Sequence, residues 1–315
     1  MYSVKKLNFD EAEKVWLTSP NANIYNNPFF LIKFKNIKFY GIFKGDEILC
    51  CWPLYIKGKK TLVPDLFYYF GPFWSKKINT IPDHSWLSYS TKIYETCLNK
   101  LTKHFNKIDF ELHYTLRDVR VFDWWNYNKE NLRFKIIPRY TAIVDGLNKK
   151  TENQIINDYR YVRRYELKRF AKYTNDIISS KIDFKDILNL YYELIKINEK
   201  DKKLLENNLK TIYDLKNTNL CQLLGYRCKK TNKIVSISIL LFDNNSSHLV
   251  LNIADNNWKK KGIVSWATHN AIIFTKKRNL DIFDFNGANS PQRGDHKHSF
   301  GSKTRLYFNL KYENN

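Results

Sequence analysis

Two short stretches decide the fold of this chain: Arg278-Asn279-Leu280-Asp281-Ile282-Phe283-Asp284-Phe285 and Asn106-Lys107-Ile108-Asp109-Phe110-Glu111-Leu112. Both mix strand-forming residues with acids, and both follow a run of helical periodicity, Ile263 to Arg278 and Ser85 to Phe105. Ahead of each helix lies a β-rich segment. In the first half, Asn36–Phe43 and Glu47–Ile56 flank Lys44-Gly45-Asp46, a short glycine-containing connection that reads as a hairpin turn. In the second half, Cys221–Cys228, Lys233–Phe242 and His248–Ala254 are joined by Lys230-Thr231-Asn232 and Asp243-Asn244-Asn245-Ser246, all turn formers. Hairpin, helix and short strand therefore occur twice, as two diverged copies of one α/β unit would produce.

The remaining elements extend outward from this pair. Helices are expected at Phe9–Leu17 and Val119–Tyr127, with a strand at Arg133–Val144 before the turn at Asp145-Gly146. Composition shifts there, so the domains are read as 1–146 and 147–315. Thr151–Tyr173 reads as one basic helix, followed by helices at Phe184–Asn198 and Asp201–Leu215. A glycine-rich loop and a strand at Arg305–Tyr312 close the chain.

The chain has 315 residues, 43% hydrophobic and 16% aromatic, which argues against disorder and supplies material for two cores. Its 53 Lys+Arg against 31 Asp+Glu give a net charge of +22. That excess has two readings. AT-rich coding, which favours Lys, Asn, Ile, Phe and Tyr, is one, and an anionic partner is the other. The longest apolar run, Ile234–Phe242, contains two serines and is far shorter than the ~18 residues of a membrane span. Five cysteines without metal-ligand spacing read as reduced thiols of a cytoplasmic protein.

Three segments carry candidate chemistry. Trp258–Arg278 has six basic residues and no acidic one. Its Lys259-Lys260-Lys261-Gly262 stands between a strand and a helix, where unpaired N–H groups and the positive dipole end attract an anion. Gly262 would let a phosphate reach the backbone, and a solvated basic turn is the alternative. Next, Phe283-Asp284-Phe285-Asn286-Gly287 delivers polar groups to the carboxyl edge of a sheet, with Asp284 and Asn286 on one face. Asp284 reads either as a proton acceptor or as a cap for the following loop. Finally, Asp295–Gly301 with Arg305 offers Lys297 and Arg305 to a phosphate-bearing substrate. His296 and His298 lack a third ligand at metal spacing, so no metal is expected. The aromatic loops around Tyr25 and Tyr69 read as a stacking surface or as packed core. Walker, dinucleotide and Gly-x-Ser-x-Gly motifs do not occur.

Together these segments resemble the FemAB-like branch of the GNAT acyltransferase superfamily. The likeness runs from Cys51-Trp52-Pro53-Leu54-Tyr55 and Tyr69-Phe70-Gly71-Pro72 through Arg163-Arg164. It ends in Asp284-Phe285-Asn286-Gly287, Arg293-Gly294, Lys297 and Phe300-Gly301. It implies an α/β (α+β) protein of tandem GNAT-like domains, each a mixed, mostly antiparallel sheet flanked by helices. By this resemblance the C-terminal domain holds acyl-CoA through Lys259, Lys260, Lys261, Gly262, Ile263 and Val264. The pattern Lys259-x-x-Gly262-x-Val264 departs from the usual Arg/Gln-x-x-Gly-x-Gly/Ala. Asp284 becomes the base or amine-orienting group, with His269 and His296 behind it, and backbone N–H groups after Leu251 polarise the thioester. Lys297, Arg293, Arg305, Asn286 and Arg163 hold the second substrate, with Tyr69 or Tyr25 stacking on it.

The activity so implied is N-acyl transfer, acetyl or 3-hydroxybutanoyl, from acyl-CoA to the amine of a nucleotide-linked amino sugar of the dTDP-3-amino-3,6-dideoxyhexose type. Such a reaction belongs to lipopolysaccharide/O-antigen or other surface-polysaccharide biosynthesis. The expected enzyme is a cytoplasmic monomer or homodimer, without metal, nucleic-acid partner or membrane insertion. One alternative is an aminoacyl-tRNA-dependent Fem-type peptidyltransferase, whose usual coiled-coil insertion this chain is too short to include. The other is a non-enzymatic nucleic-acid-binding protein.

Overall fold

The computed structural model describes residues 1–116, 118–129, 132–194 and 198–314. It forms two compact units, Met1–Arg139 with the chain from Leu306 onward, and Tyr140–Arg305. A cut at 146/147 therefore falls several residues late. It also misplaces the last strand, which pairs with Lys107–Glu111 of unit 1.

Unit 1 contains β1 (Tyr2–Leu7), β2 (Ile37–Lys44), β3 (Glu47–Lys57), β4 (Lys60–Leu62), β5 (Phe73–Trp74) and β6 (Lys107–Glu111). Asn8 starts α1 (Phe9–Thr18) with a capping box to Glu11. Gly45, at φ 63°, makes the β2–β3 turn. Helix α2 (Pro28–Leu31) precedes the hairpin, and α3 (Asp83–His104) precedes β6. Helix α3 buries Ile93, Tyr94, Cys97, Leu98 and Leu101, spaced to lie on one face and each contributing about 1.5–3 kcal/mol. They pack on Trp52, Ile108 and Phe110. Strand β4 runs parallel to β6, while the β1–β2, β2–β3 and β3–β4 pairs are antiparallel. The helix expected over 119–127 is the single turn α4 (Arg120–Asp123). Asn126 adopts φ 52° just beyond it and donates to the Leu132 carbonyl, which ends the helix.

Unit 2 takes in the end of β7 (Lys135–Val144), then α5 (Glu152–Asn157), α6 (Tyr161–Phe170), β8 (Ile177–Ser179), α7 (Phe184–Leu194) and α8 (Glu199–Asp214). Next come β9 (Cys221–Cys228), β10 (Ile234–Phe242), β11 (Ser246–Ala254), α9 (Asn256–Lys261), α10 (Ile263–Lys277), β12 (Ile282–Asp284) and α11 (Pro291–His298). Strand β13 (Lys303–Glu313) returns the chain to unit 1. Strands β8 to β11 form an antiparallel meander, β12 joins β11 in parallel, and β7 flanks β12 antiparallel. Helix α10 is buried on most sides, from Ile263 to Thr275.

The long basic helix is broken into α5, α6 and a 3₁₀ turn, Ala171–Asp176. The break buries Tyr159 and lets the Arg160 N–H donate to the Ser299 carbonyl. Gly301 permits it, since a Cβ there would stand 2.8 Å from the Asp158 carbonyl oxygen. Of the helix expected over 184–198, residues 195–197 lie outside the described residues. The expected closing loop includes α11, with Pro291 in its first turn. All five cysteines are buried and free, and no helix among the described residues is long and apolar enough to cross a membrane.

Candidate functional site

The polar residues of unit 2 converge where β11 and β12 run side by side. Their parallel register pairs His248 with Asp284, the last residue of β12. Asp284 is 1% exposed and accepts from Thr141 Oγ1 at 2.6 Å and from the Asn286 N–H at 2.8 Å. His248 Nδ1 lies 3.7 Å from Asp284 Oδ2 and 3.2 Å from Asn286 Oδ1, and Nε2 lies 2.8 Å from Asp243 Oδ2. Burial opposes charge on His248, but the bond to Asp243 and the attraction of Asp243 and Asp284 outweigh it, holding its pKa above the ordinary value. His248 therefore lies between two carboxyl groups that favour its protonated form.

Asn286 and Gly287 follow in left-handed conformations, φ 51° and 52°, which turn the chain sharply after β12. Lys297 on α11 closes this turn by donating to the carbonyls of Phe285, Asn286 and Gly287. Burial brings Lys297 down to about 8 against the pull of Asp284. Its charge serves the backbone, which corrects the expectation that Lys297 offers itself to a substrate phosphate.

Beyond His248, β11 runs on past the end of β12. A bulge interrupts its pairing with β10: Ile239 faces Leu251 and Leu240 faces Leu249, leaving Val250 as the extra residue. Among the described residues, no strand pairs with β11 along the edge of Leu249–Ala254 that faces away from β10. Backbone N–H groups on a strand edge that lacks a partner strand can polarise a carbonyl.

The expected anion site has a different local structure. Lys259, Lys260 and Lys261 are the last turn of α9, capped by Asp255, and Gly262 joins α9 to α10 at φ 103°. Lys259 and Lys260 are exposed, while Gly262 and Ile263 are buried and Val264 is half-buried. The space beside Gly262 belongs to α6, since a Cβ there would stand 3.1 Å from the Glu166 carbonyl oxygen and 3.6 Å from Arg169 Nη2. In the first turn of α10, Ser265 donates to the Glu166 carboxylate, which also pairs with Arg163. The glycine therefore serves helix packing, and an internal carboxylate stands at the helix start. This overturns the expectation that Gly262 cradles a phosphate.

The other predicted residues are scattered within their units. His269 lies 3.1 Å from Tyr159 Oη and 3.2 Å from Glu152 Oε1, and burial lowers its pKa against Glu152. His296 packs edge-on to Phe300, and burial, then Arg163 and Lys297, brings it down to about 4. Arg163 is held by Glu166, Ser265 and Ser299. Arg305 lies 3.3 Å from Asp145, and Arg293 is exposed. Tyr25 and Tyr69 of unit 1 are fully buried in an aromatic cluster, so neither is a stacking surface. Sequence reading missed His248, Asp243 and Thr141. The His248–Asp284 pairing follows only from the parallel register, although Asp243 stood in view as a turn residue.

No protein-family profile matches the chain, and no curated protein matches it. Solved structures do. A tandem GNAT protein from the clavulanic acid biosynthesis pathway superposes with a TM-score of 0.59 at 9% identity, over 99% of this chain and 98% of that one. FemX gives 0.58 at 11% identity over 97% and 96%. L-PGS from Bacillus licheniformis gives 0.54 at 11% identity over 99% and 93%. The chain has the tandem GNAT fold. At these identities the likeness carries the fold alone, and the chemistry rests on the residues.

Proposed function

We propose that this protein is an acyltransferase that moves an acyl group from acyl-CoA to an amine. The observation that carries this reading is the run-out of β11 past β12 beside the Asp243–His248–Asp284 clamp, in a tandem GNAT fold. A thioester needs no activation beyond positioning and stabilisation of the tetrahedral oxyanion. Backbone N–H groups around Val250 supply that stabilisation. The clamp and Lys297 fix the adjoining turn, so that its geometry does not relax during reaction. Exposed Lys259 and Lys260 attract the coenzyme phosphates by charge, without a backbone cradle at Gly262. The acceptor is a nucleotide-linked amino sugar, whose amine titrates near an ordinary α-amino group, about 7.7–8.0, and so requires only a modest base.

A second reading has its own observation. Because α6 covers Gly262, a diphosphate has no backbone seat there, which favours a donor bound through a broader basic surface, such as an aminoacyl-tRNA. One assay separates the two. Thiol release is followed with several acyl-CoAs against a panel of nucleotide-linked amino sugars, with charged tRNA as a parallel arm. Thiol release with an amino sugar is the expected result. Silence across the panel with transfer from charged tRNA would replace the first reading by the second.

A further inference from the structure

Helix α6 presents both rings and charge to solvent. Its inner side is committed: Phe170 is buried in a core with Trp258 and Ile263, Arg163 donates to Ser299, and Ser265 donates to Glu166. Helical spacing puts Tyr161, Arg164, Tyr165 and Lys168 on the opposite side, flanked by Val162 and Arg169, and Lys172 follows in the 3₁₀ turn. Surface helices ordinarily keep large apolar side chains away from water. Here Tyr161, Val162 and Tyr165 are 74%, 43% and 52% exposed.

The charge on this face has one sign. Glu166 is the only acid between Arg160 and Asn175, and it is held by Ser265 and Arg163. The ion pairs of the helix are Arg160 with Asp295 and Arg163 with Glu166. Among the described residues, Arg164, Lys168, Arg169 and Lys172 pair with no carboxylate. Arg164 donates to the Asn157 and Tyr159 carbonyls, which position it without neutralising it. Lys261, in the last turn of α9, adds a further cation over the rings of Tyr173 and Trp258, at 4.8 and 4.0 Å.

Rings beside cations suit two kinds of anionic partner, and the state of the rings separates them. A nucleic-acid base stacks on an open ring face. Tyr161 and Tyr165 instead stack on each other at 23°, and the Arg169 guanidinium stands 5.9 Å from the Tyr165 centroid. Val162 offers a base no ring at all. At a bilayer, tyrosines and an aliphatic side chain enter the headgroup boundary while Lys and Arg reach the lipid phosphates. We propose that this face of α6 docks unit 2 on an anionic phospholipid bilayer. The contact lies along the surface, since no helix among the described residues is long and apolar enough to cross.

The test is co-sedimentation of the full chain with vesicles of phosphatidylcholine alone and of an equimolar mixture with phosphatidylglycerol, at one salt concentration. Binding to the mixed vesicles only is the expected result. Lys168→Gln with Lys172→Gln should weaken it about tenfold or more. Tyr161→Ser, Val162→Ser and Tyr165→Ser together keep the charge and should weaken it about tenfold. Lys33→Gln with Lys35→Gln removes equal charge from exposed positions of unit 1 and should change it less than about twofold. Equal losses from the two lysine pairs would reduce the binding to overall charge and overturn the proposal, as would full binding by the serine variant. Capture of single-stranded RNA without vesicle binding, lost in the Lys168 and Lys172 variant, would also overturn it and give the face to nucleic acid. None of these outcomes depends on acyl transfer, which sedimentation does not measure.

Discussion

The carboxyl at the end of β12 and the one at the end of β6 hold matching places in two units built on one plan, yet their surroundings differ. Asp284 is sealed and meets Thr141, the Asn286 N–H and His248. Glu111 is partly exposed, has one N–H, and shares its face with a second acid, Asp109. Each follows a long helix, and each stands between a core phenylalanine and another apolar residue. What separates them is the supply of partners. A sealed carboxyl bonded by its neighbours is a structural part, whereas a partly open one with a raised pKa can exchange a proton near neutrality.

The widest gap between the two should appear on truncation. Asp284→Ala removes a carboxyl facing His248 and the acceptor of the Thr141 hydroxyl, and should cost about 3–5 kcal/mol in urea unfolding. Glu111→Gln removes a carboxyl whose folded pKa lies well above its unfolded one, so at neutral pH the variant should lose nothing and should gain up to about 3 kcal/mol. Similar losses from both would erase the distinction. Lys297→Met comes next. It removes the donor to three carbonyls beside Asp284, and, allowing for partial exposure of the ammonium, should cost about 2 kcal/mol, read as a lowered Tm. An unchanged Tm would mean that the Asp284 turn holds itself.

Much of this plan was legible in the sequence, for reasons that differ by element. Strand β6 and the hairpin at Gly45 follow from alternation and turn chemistry, which are local. Set in register on Phe110 and Phe283, the two stretches place Glu111 against Asp284. Chemistry was read from one copy only, because a Gly-rich motif followed Asp284 while Leu112 followed Glu111. The Asp243–His248–Asp284 clamp depends on the parallel register of β11 with β12, which no local pattern encodes. Gly262 misled for a related reason. A glycine at a helix start admits a phosphate or another helix equally well, and α6 occupies the place through contacts about a hundred residues distant in sequence. The aromatic loops at Tyr25 and Tyr69 followed the same rule, since their composition suits a stacking face and a core alike, and the fold used them as core.

The contrast between the two strand ends is tested most directly by urea-unfolding stability of the wild type and of Glu111→Gln between pH 5 and 8. The folded-state pKa of Glu111 is raised from 4.5 to about 8, so across this window the native state binds more protons than the unfolded chain. The stabilisation this group contributes is full below its unfolded value and is lost as pH rises through the window. The wild type should therefore fall in stability relative to the variant as pH increases. Parallel curves would mean that Glu111 titrates like any surface carboxylate, and the division of labour between the ends of β6 and β12 would be wrong.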